Sequence, residues 1–477
     1  MLKKYQQVKM SSNDSESVVA LFKKFKLITI LNLCNIRKSK GKPIYDMLYL
    51  FLIFILENSN SINRGMTTNK CTSMKTPVND MLNNIYYNWR NFLYRIAKLF
   101  VSFTFNAKTD SGTLIIDDSK KSKTGRKVQH LSLFFDHCSK SYFHGFQNIT
   151  CAWSNGRSTI PIDFEIKIGK KKTKQATKSN YAKKSHAEQR VRFAKQKKID
   201  ITIQMIKRAF QRNFPIKYIL WDSWYNCSDS IKYVAELVEK KGTHLISMLK
   251  KGKTRYKYNG GYYTQKELYQ KAGKWKNDIN SEIKSKSIIV EYLDASSSKV
   301  FAKREIVIPI KISFYKYPGV KQWKAILSTN TELSEQEILK LYLQRWSIEC
   351  LFKEIKQYFG YDQSKSSNYI AMVADLTIRY SFYIMFCYKR ELENQKPILQ
   401  ILTEFYEELF DEWLSSYIEK ILTSSIKRFV EYAIKMGYTD LSELHKEIDK
   451  VLYNFFDKEF YPDKIVDVDK REKRKIA

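Results

Sequence analysis

The sequence predicts a mixed α/β fold, in which helices cover a sheet of parallel and antiparallel strands and further helical regions lie at both ends. Between residues 113 and 249, short apolar runs alternate with amphipathic helical patterns, an order typical of α/β proteins. On either side, residues 17–105 and 396–456 carry apolar residues at helical spacing. The 477 residues are 43% hydrophobic and 14% aromatic, which is enough for a sizeable core.

The first hundred residues predict three helical segments, at 17–33, 44–57 and 78–105, separated by polar breaks. One of the breaks is the basic turn RKSKGKP. Short helices with basic edges suit a DNA-binding module, but no helix-turn-helix pattern identifies a recognition helix. A plain helical scaffold remains the alternative.

The segment from residue 113 to residue 249 predicts the central sheet. TLIIDD, FHGFQNITCAW and STIPIDFEIKI have the composition of strands, and the hairpin signal SNGR separates the last two. A cationic linker and a long helix follow, to about residue 212. The segment IKYILWDSW then predicts a short strand, residues 228–240 a helix, and THLISML another strand.

Residues 250–330 interrupt this alternation with β-rich segments joined by Lys-rich turns, so we expect an insertion into the α/β domain. A helix predicted at 334–358 then closes the core. An apolar helix at 370–388 and the helical tail at 396–456 follow.

The charge of the chain is strongly positive and unevenly placed. Lys and Arg number 84 against 49 Asp and Glu, a net charge of +35, which indicates a polyanionic partner. Cations are dense in residues 169–198 and directly after the strand TLIIDD. We expect DNA-backbone contacts from Arg190 and Arg192 in the first segment and from Lys123 and Lys127 in the second, with solvated loops as the alternative.

The cysteines and the apolar runs argue against two other classes of protein. The seven cysteines form no CxxC pair and no short Cys/His cluster, so we expect neither a zinc site nor a disulfide framework, and a reducing compartment. The longest apolar run, residues 47–56, is ten residues long and too short to cross a bilayer. We expect no membrane partner.

One segment, YLQRWSIECLFKEIK, carries four polar residues at helical spacing. Tyr342, Arg345, Glu349 and Lys356 are three, four and seven positions apart, so on a continuous helix they share an arc of about 60°. The pattern predicts an acid flanked by phosphate-binding groups, and a solvated charge pair is the alternative. The neighbouring arc is apolar and predicts a packed face, formed by Leu341, Ile348, Leu351, Phe352, Ile355 and Phe359.

Carboxylates at strand ends are candidates for binding a metal ion. Asp117 and Asp118 end one predicted strand and Asp222 ends another, at the sheet edge where ligands of such sheets bind. With Glu349 they would form a group of negative charges that needs a cation. Oxygen ligands favour Mg²⁺ or Mn²⁺. For Asp222, a simple turn or helix cap is the alternative.

The motifs IIDDS, WDSWYN and YLQRWSIECLFKEIK, in this order around a β-rich insertion, resemble those of DDE transposases of the insertion-sequence-four-like group, whose signature is Tyr-Arg-Glu-Lys. DHCSKSYFHGFQ and IPIDFEI are also similar to that group, so the resemblance covers about residues 110–390. It implies an RNase H-like core in which Asp118, Asp222 and Glu349 bind two Mg²⁺ ions, with Mn²⁺ as a substitute. Asp118 is favoured over Asp117 because Ser119 follows it.

The same resemblance implies how DNA is bound. Tyr342, Arg345 and Lys356 would contact phosphates at the transposon end. The insertion would place an aromatic side chain against a base flipped out of the duplex. Trp323 is the first candidate and Trp275 the second, with a core role for Trp323 as the alternative.

The resemblance implies cut-and-paste transposition of an insertion sequence: nicking at terminal inverted repeats, a DNA hairpin, its reopening, and strand transfer. A homodimer on two double-stranded ends, in the bacterial cytoplasm with the nucleoid, is expected. A nuclease without strand transfer and a catalytically silent DNA-binding protein are the alternatives. The implied domains are a helical DNA-binding domain (1–108), the first part of the catalytic core (109–249), the β-rich insertion (250–330), the second part of the core (331–390) and a helical C-terminal region that could mediate dimerisation (391–477).

Overall fold

A computed structural model describes residues 18–57, 72–136, 139–170, 179–277, 282–292 and 308–435. The chain divides into two compact units, Met1–Leu402 and Thr403–Ala477. Three predicted segments lie partly outside the described residues: the cationic segment at 171–178, the β-rich segment at 278–281 and 293–307, and the helical tail at 436–456. The predicted domain boundaries stay predictions.

The described residues contain thirteen α-helices, and two of the helices predicted in the first hundred residues are each divided. The helix predicted at 17–33 breaks at Lys26, whose φ of 48° is left-handed. The helix predicted at 78–105 breaks where the Asn88 side chain caps a new helix by accepting a hydrogen bond from the Asn91 amide at 3.0 Å. The helices are α1 (Val18–Lys24), α2 (Leu27–Leu33), α3 (Ile44–Leu56), α4 (Lys75–Asn83), α5 (Trp89–Thr104), α6 (His186–Ala194), α7 (Lys198–Gln211), α8 (Ser228–Lys241), α9 (Gln265–Lys271), α10 (Glu335–Leu343), α11 (Trp346–Gln357), α12 (Tyr369–Leu392) and α13 (Ile398–Lys435).

The described strands form one mixed sheet. Its order is β2-β3-β1-β5-β6-β12-β11-β10-β7-β8, with β4 also beside β3 and β9 beside β10. β1 pairs in parallel with β5, and β5 with β6, whereas the other pairs are antiparallel. The predicted mixed α/β fold is confirmed at this level. The strands are β1 (Thr113–Ser122), β2 (Ser132–Asp136), β3 (Ser141–Ser154), β4 (Thr159–Lys167), β5 (Tyr218–Trp221), β6 (His244–Met248), β7 (Arg255–Tyr258), β8 (Gly261–Thr264), β9 (Lys276–Asn277), β10 (Lys284–Tyr292), β11 (Ile308–Lys316) and β12 (Lys324–Ser328).

The β-rich segment continues the central sheet. Strand β12 pairs with β6 along one edge and with β11 along the other, so β12 joins the two halves of the sheet. Strand β11 alternates buried and less buried side chains at its start, where Ile308, Ile310 and Ile312 face the interior. Because hydrogen bonding is continuous from β1 to β10, this segment is held at a fixed position relative to the ends of β1 and β5.

A buried charge cluster fixes helices α5, α6 and α7 against strand β4. Asp163 and Glu165 on β4 are 1% and 0% exposed. Arg208 lies 2.6 Å from Asp163, Arg90 lies 3.3 Å from Asp163, and Arg190 lies 3.6 Å from Glu165. Burial alone would raise the pKa of Asp163, but the guanidinium groups outweigh burial and lower its pKa to about 2. Three cations therefore compensate two carboxylates in the interior.

Helix α12 is the central helix of the first unit. It is long and apolar enough to cross a membrane by length and composition, but its apolar window is entirely buried inside the protein. Residues 369–387 are buried on every side. The helix packs against α4, α5 and β4, as an apolar helix in the core of a large domain does.

Candidate active site

The middle of strand β1 and the end of strand β5 bring two candidate acids to one level of the sheet. The parallel pairing ends with Ile116 opposite Trp221, so Asp117 and Asp222 follow side by side. Asp222 keeps an extended backbone, with φ −78° and ψ 162°. Because side chains alternate along strands, Asp117 and Asp222 are expected on the same face of the sheet and Asp118 on the opposite face.

The prediction that the first strand ends at the two acids is wrong. β1 continues to Ser122, because its other edge stays paired with β3 up to Ser122 opposite Gly145. Gly145 permits this close pairing, since a Cβ on it would lie 2.1 Å from the Lys121 carbonyl oxygen. Asp117 and Asp118 are therefore paired with β3 on one side, whereas on the other side they lie beyond the last residue that pairs with β5.

Arg345 connects two of the candidate acids. Its Nη1 lies 3.2 Å from Asp117 Oδ2, and its Nη2 lies 2.7 Å from Glu349 Oε1. The guanidinium group is mostly buried, which limits its motion. Glu349, far along the chain, is thereby linked through one cation to the middle of β1.

Arg345 lies at a break between two helices. The predicted single helix at 334–358 is wrong in this respect, since α10 ends at Leu343 and α11 begins at Trp346. The amides of Gln344 and Arg345 donate to carbonyl oxygens three residues earlier, which is the tighter 3₁₀ spacing. The junction therefore sets the direction of Arg345. The buried face of α11 is the predicted one, with Ile348, Leu351 and Ile355.

Asp118 faces a different set of side chains, which no sequence motif indicates as part of the site. Its carboxylate forms an ion pair with the ammonium group of Lys198, the first residue of α7, and accepts a hydrogen bond from the Tyr225 hydroxyl at 3.3 Å. The Lys198 ammonium also lies over the rings of Trp224 and Tyr225, at 3.9 and 4.5 Å. Lys198 was one cation among many in a basic segment, so only its contacts distinguish it.

The positive charge around the Asp117 carboxylate is insufficient to balance its burial, despite its contact with Arg345. Burial and the neighbouring Asp118 together raise the pKa of Asp117 to about 6. The Arg345 guanidinium and the Lys198 ammonium offset only part of this rise. A further cation beside Asp117 would stabilise its ionised form.

Tyr342 and Lys356, the other two signature residues, lie on either side of the junction. Burial raises the pKa of Tyr342, Arg345 partly offsets this, and the charges of Asp222 and Asp117 add to the rise. The Lys356 ammonium is half-exposed and donates to a main-chain carbonyl oxygen of β1 at 3.3 Å.

Among the described residues, no group of three or more His, Cys, Asp or Glu side chains is close enough to hold a metal ion. The predicted set of Asp118, Asp222 and Glu349 is not such a group, nor is the set with Asp117 in place of Asp118, and metal binding by these acids stays a prediction. Arg345 and Lys198 contact the acids instead. The donor atoms nevertheless fit a hard divalent ion, because they are all carboxylate oxygens and Asp117 has a raised pKa.

The four cations predicted to contact DNA have different surroundings. The prediction for Arg190 is wrong, because this side chain is 5% exposed and compensates the buried carboxylates of β4. Lys123 is half-buried and donates to the Ser366 carbonyl oxygen, and burial lowers its pKa to about 8. Lys123 therefore faces the protein. Lys127 and Arg192 are exposed, and their DNA contacts stay predictions.

The two candidate tryptophans lie in one aromatic group. Trp323 is half-buried and stacks on Tyr269, with ring centroids 4.7 Å apart and an interplanar angle of 11°. Phe314 meets the Trp323 ring edge-on at 5.1 Å. Trp275 contacts Tyr269 at 6.0 Å. Trp323 therefore packs against Tyr269 and Phe314, and its contact with a flipped base stays a prediction.

The raised pKa of Asp117 predicts a stability change. Asp117→Asn should stabilise the metal-free protein at pH 7 by about 1–3 kcal/mol, because ionising Asp117 in the folded state is costly above pH 6. Below about pH 4 the carboxyl is protonated in both states, so the gain should vanish. Urea unfolding in EDTA at both pH values measures it.

Asp118→Asn is the matched control for this prediction. It removes the charge that helps to raise the pKa of Asp117, but it also removes the partner of the Lys198 ammonium. It should therefore stabilise the protein less than Asp117→Asn does, or lower its stability. If both variants were stabilised equally at pH 7, or Asp117→Asn by the same amount at pH 4, the assignment of unfavourable charge to Asp117 would be wrong.

Comparison with known families identifies the segment that contains most of these residues. Residues 174–385 match the model of the transposase DDE domain family. The match includes Lys198, Asp222 and Glu349 and begins after Asp117 and Asp118. No curated protein matches the chain. Residues 174–385 are therefore similar to transposase DDE domains, a family of phosphoryl-transfer enzymes that act in DNA transposition.

Proposed function

We propose that this protein is a DNA transposase of the insertion-sequence-four-like group that moves its element by cut-and-paste transposition through a DNA hairpin. One observation carries the proposal: Asp117 and Asp222 follow the last pair of two adjacent parallel strands at the same level, and Arg345 links Asp117 to Glu349. Binding of DNA alone would not require three acids around this edge. The mixed sheet and the family match support an RNase H-like core.

We assign the first acid to Asp117, which revises the sequence-based preference for Asp118. Two facts support Asp117: its register with Asp222 and its contact with the cation that also binds Glu349. Asp118 points toward Lys198 and Tyr225 on α7 and the loop after β5. In this assignment, Asp118 raises the affinity of the site for cations by placing a second negative charge next to the first.

Asp117, Asp222 and Glu349 would hold two Mg²⁺ ions, for which Mn²⁺ can substitute. The ions would supply activation of the attacking oxygen and stabilisation of the leaving oxygen. Arg345 would then be free to bind a phosphate by two parallel hydrogen bonds, because the ions replace it as the partner of the acids. Tyr342 and Lys356 would bind neighbouring phosphates.

All four steps of the proposed reaction exchange one phosphorus–oxygen bond for another. Water attacks the phosphorus at the transposon end and releases a 3′-hydroxyl. This hydroxyl attacks the opposite strand and closes a hairpin, which a second water reopens. The freed 3′-hydroxyl then attacks a phosphorus of the target DNA. One site therefore suffices if the DNA is repositioned between steps.

Transposition requires both ends of the element to be held together. We propose a homodimer on two double-stranded ends, in the cytoplasm of a bacterium and associated with its nucleoid. The net charge of +35 supports a DNA partner, because it far exceeds what solubility requires. The residues after 390 are the candidates for the contact between the two copies.

The test is a product assay with the full-length protein, MgCl₂, and labelled DNA carrying the inverted repeats that flank its own gene. Nicked ends, hairpins, reopened ends and strand-transfer products are expected in that order. Nicks without hairpins or strand transfer would indicate a nuclease. End binding with no Mg²⁺-dependent product would indicate a silent DNA-binding protein, and either result would overturn the proposal.

Two arginines of helix α6, one exposed and one buried, allow a sharp test of DNA binding. Arg192→Ala should weaken binding and reduce the slope of log K against log salt by about 1, because one phosphate contact is lost. Fluorescence anisotropy over a salt series measures the slope. Arg190→Ala should instead lower stability, since it leaves buried carboxylates uncompensated. An unchanged slope for Arg192→Ala would exclude that contact.

A further inference from the structure

Two lysines near the end of strand β1 are buried, and the proposed reaction does not use them. Lys121 is 4% exposed and Lys123 is half-buried, although both belong to the basic stretch that follows the candidate acids. Side chains alternate along a strand, so Lys121, four positions after Asp117, is expected on the same face of the sheet as Asp117. Helix α11, which carries Glu349, packs against this strand.

Both ammonium groups bind residues 358–368, which join α11 to α12 and which we call the connecting segment. Lys121 donates to the main-chain carbonyl oxygen of Tyr361, and Lys123 donates to that of Ser366. The Lys121 ammonium also lies 3.6 Å from the centroid of the Tyr361 ring. The end of β1 is therefore tied at two points to the chain that directly follows the helix of Glu349.

A third lysine makes the reciprocal contact. Lys356, near the end of α11, donates to the main-chain carbonyl oxygen of Lys120 at 3.3 Å. After β1, the Gln129 main-chain amide donates to the Ser367 carbonyl oxygen, and its side-chain oxygen accepts from the Tyr369 amide, both at 2.9 Å. Charge-assisted hydrogen bonds thus run in both directions between β1 and the chain from α11 to α12.

The charge of Lys121 is unfavourable for folding. Burial lowers the pKa of Lys121 to about 7, so the folded state disfavours its charged form. Four charged groups face its ammonium besides the Tyr361 ring: Asp375 and Arg379 of α12, Asp362 of the connecting segment, and Lys123. The two carboxylates favour the charged form, the two cations oppose it, and burial has the largest effect. A costly buried charge beside a candidate active site indicates a role in that site.

We propose that Lys121 is a positioning residue, which holds the connecting segment against β1 and thereby fixes Glu349 relative to Asp117. The proposal rests on the proposed function, because that function assigns these two acids to one site. Asp117 belongs to β1 and Glu349 to α11, so the contacts between the two elements set the distance between the acids. A misplacement of about 1 Å can lower a reaction rate about 10²-fold.

The Arg345 bridge cannot perform this task during the proposed reaction. Arg345 contacts both Asp117 and Glu349, but in the proposed function metal ions replace it as their partner. The Lys121 contact lies four residues beyond Asp117, about 13 Å along the strand, so ions at the acids would leave it in place. Lys121 therefore maintains the arrangement of the acids after Arg345 has turned to a phosphate.

The first experiment measures single-turnover nicking by the full-length protein at saturating MgCl₂, from pH 6 to pH 9. Lys121→Met keeps the unbranched apolar part of the side chain and removes the ammonium group. At pH 6 it should nick about 10- to 100-fold more slowly than the wild type. Its Kd for the DNA end should stay within about threefold of the wild type, because the buried Lys121 does not reach DNA.

The melting temperature of Lys121→Met separates positioning from support of the fold. The pKa of Lys121 is about 7 in the folded state and about 10.4 in an unfolded chain, so at pH 6 its charge lowers stability. The variant should therefore melt at the same temperature as the wild type or higher, while it nicks more slowly. A lysine that merely supported the fold would lower both quantities.

The pH dependence supplies a second distinction. Since the wild type loses the Lys121 charge as the pH rises through about 7, its rate advantage over Lys121→Met should shrink toward pH 9. This ratio of rates cancels the pH dependence of the chemistry itself. Lys121→Arg should instead keep a constant advantage over Lys121→Met, because a guanidinium group stays charged throughout this range.

Lys167→Met is the matched control. Lys167 is also buried, and it donates to the carbonyl oxygens of Ile168 and Ala194 at 2.8 and 3.2 Å. Burial lowers its pKa as well. Because its partners lie outside β1, α11 and the connecting segment, this variant should nick at the wild-type rate at every pH.

Mn²⁺ binding without DNA provides a readout that does not depend on catalysis. Electron paramagnetic resonance of free Mn²⁺ gives the Kd, and we expect Lys121→Met to bind about tenfold more weakly than the wild type at pH 6. Lys167→Met should bind as the wild type does. If the acids were positioned without Lys121, all three proteins would have the same affinity.

The proposal is overturned if Lys121→Met nicks at the wild-type rate at pH 6, or if its deficit is the same at pH 9. It is also overturned if slower nicking comes with a lower melting temperature and unchanged Mn²⁺ affinity. Normal nicking and strand transfer by both proteins would remove the role of Lys121 and leave the proposed function intact. If the wild type makes no nick, the proposed function fails, and the Mn²⁺ affinities alone decide the role of Lys121.

Discussion

Replacing Glu349 by Gln is expected to lower Mg²⁺-dependent nicking at the transposon end by about 10³-fold or more. Glu349 is the acid that Arg345 links to Asp117, so it supplies one side of the proposed metal site. Loss of a charged ligand removes several kcal/mol of transition-state stabilisation, and each 1.36 kcal/mol corresponds to about tenfold in rate. Single-turnover cleavage of an end-labelled duplex measures the change.

Binding separates this catalytic role from a folding or DNA-contact role. Glu349→Gln should bind transposon ends with a Kd within about threefold of the wild type, because the side chain keeps its size and can still accept a hydrogen bond. Glu236→Gln is the matched control, since Glu236 is an exposed residue of α8 that pairs with Lys240, and it should leave both quantities unchanged. Normal nicking by Glu349→Gln would refute the catalytic role.

Replacing Asp163 by Asn is expected to destabilise the protein by about 3–5 kcal/mol at pH 7. Asp163 is fully buried and compensates Arg208 and Arg90, with Arg190 close by. Removing the carboxylate leaves guanidinium charges in the interior without sufficient negative charge. Urea unfolding monitored by tryptophan fluorescence measures the free energy of unfolding.

The pH dependence gives this prediction a second measurement. The pKa of Asp163 is lowered to about 2, so its stabilising effect is complete above the unfolded-state value and is lost as the pH falls through about 2. The difference between wild type and Asp163→Asn should therefore be constant from pH 7 to pH 5 and shrink below about pH 4. Asp80→Asn, at an exposed position of α4, is the control and should change stability by less than about 0.5 kcal/mol.

The sequence predicted those elements whose apolar pattern decides which face is buried. The buried side of α11 matches the predicted arc at Ile348, Leu351 and Ile355, because a helix of this kind has one strongly apolar stripe. The strand β5 was also predicted from its apolar run, and its four residues before Asp222 are all buried. Local pattern and tertiary burial agree at these positions.

The errors occurred where neighbouring elements decide the structure. The continuation of β1 beyond Asp118 depends on pairing with β3, which the composition KKSK does not suggest. The DNA contact predicted for Arg190 is wrong, because a basic run in the sequence does not reveal which of its cations pairs with a buried carboxylate. Lys123 was misplaced for the same reason, since its carbonyl partner belongs to a distant loop.

The sequence by itself determined the mixed α/β class, the basic character, and the identity of the acids and signature residues as candidates, because composition and local spacing are sufficient for these. Only the tertiary structure decided that Asp117 shares its level with Asp222 and contacts Arg345, while Asp118 pairs with Lys198. The physical reason is strand alternation: adjacent residues of a strand face opposite sides of the sheet, and only the packed helices on each side reveal what each carboxylate meets.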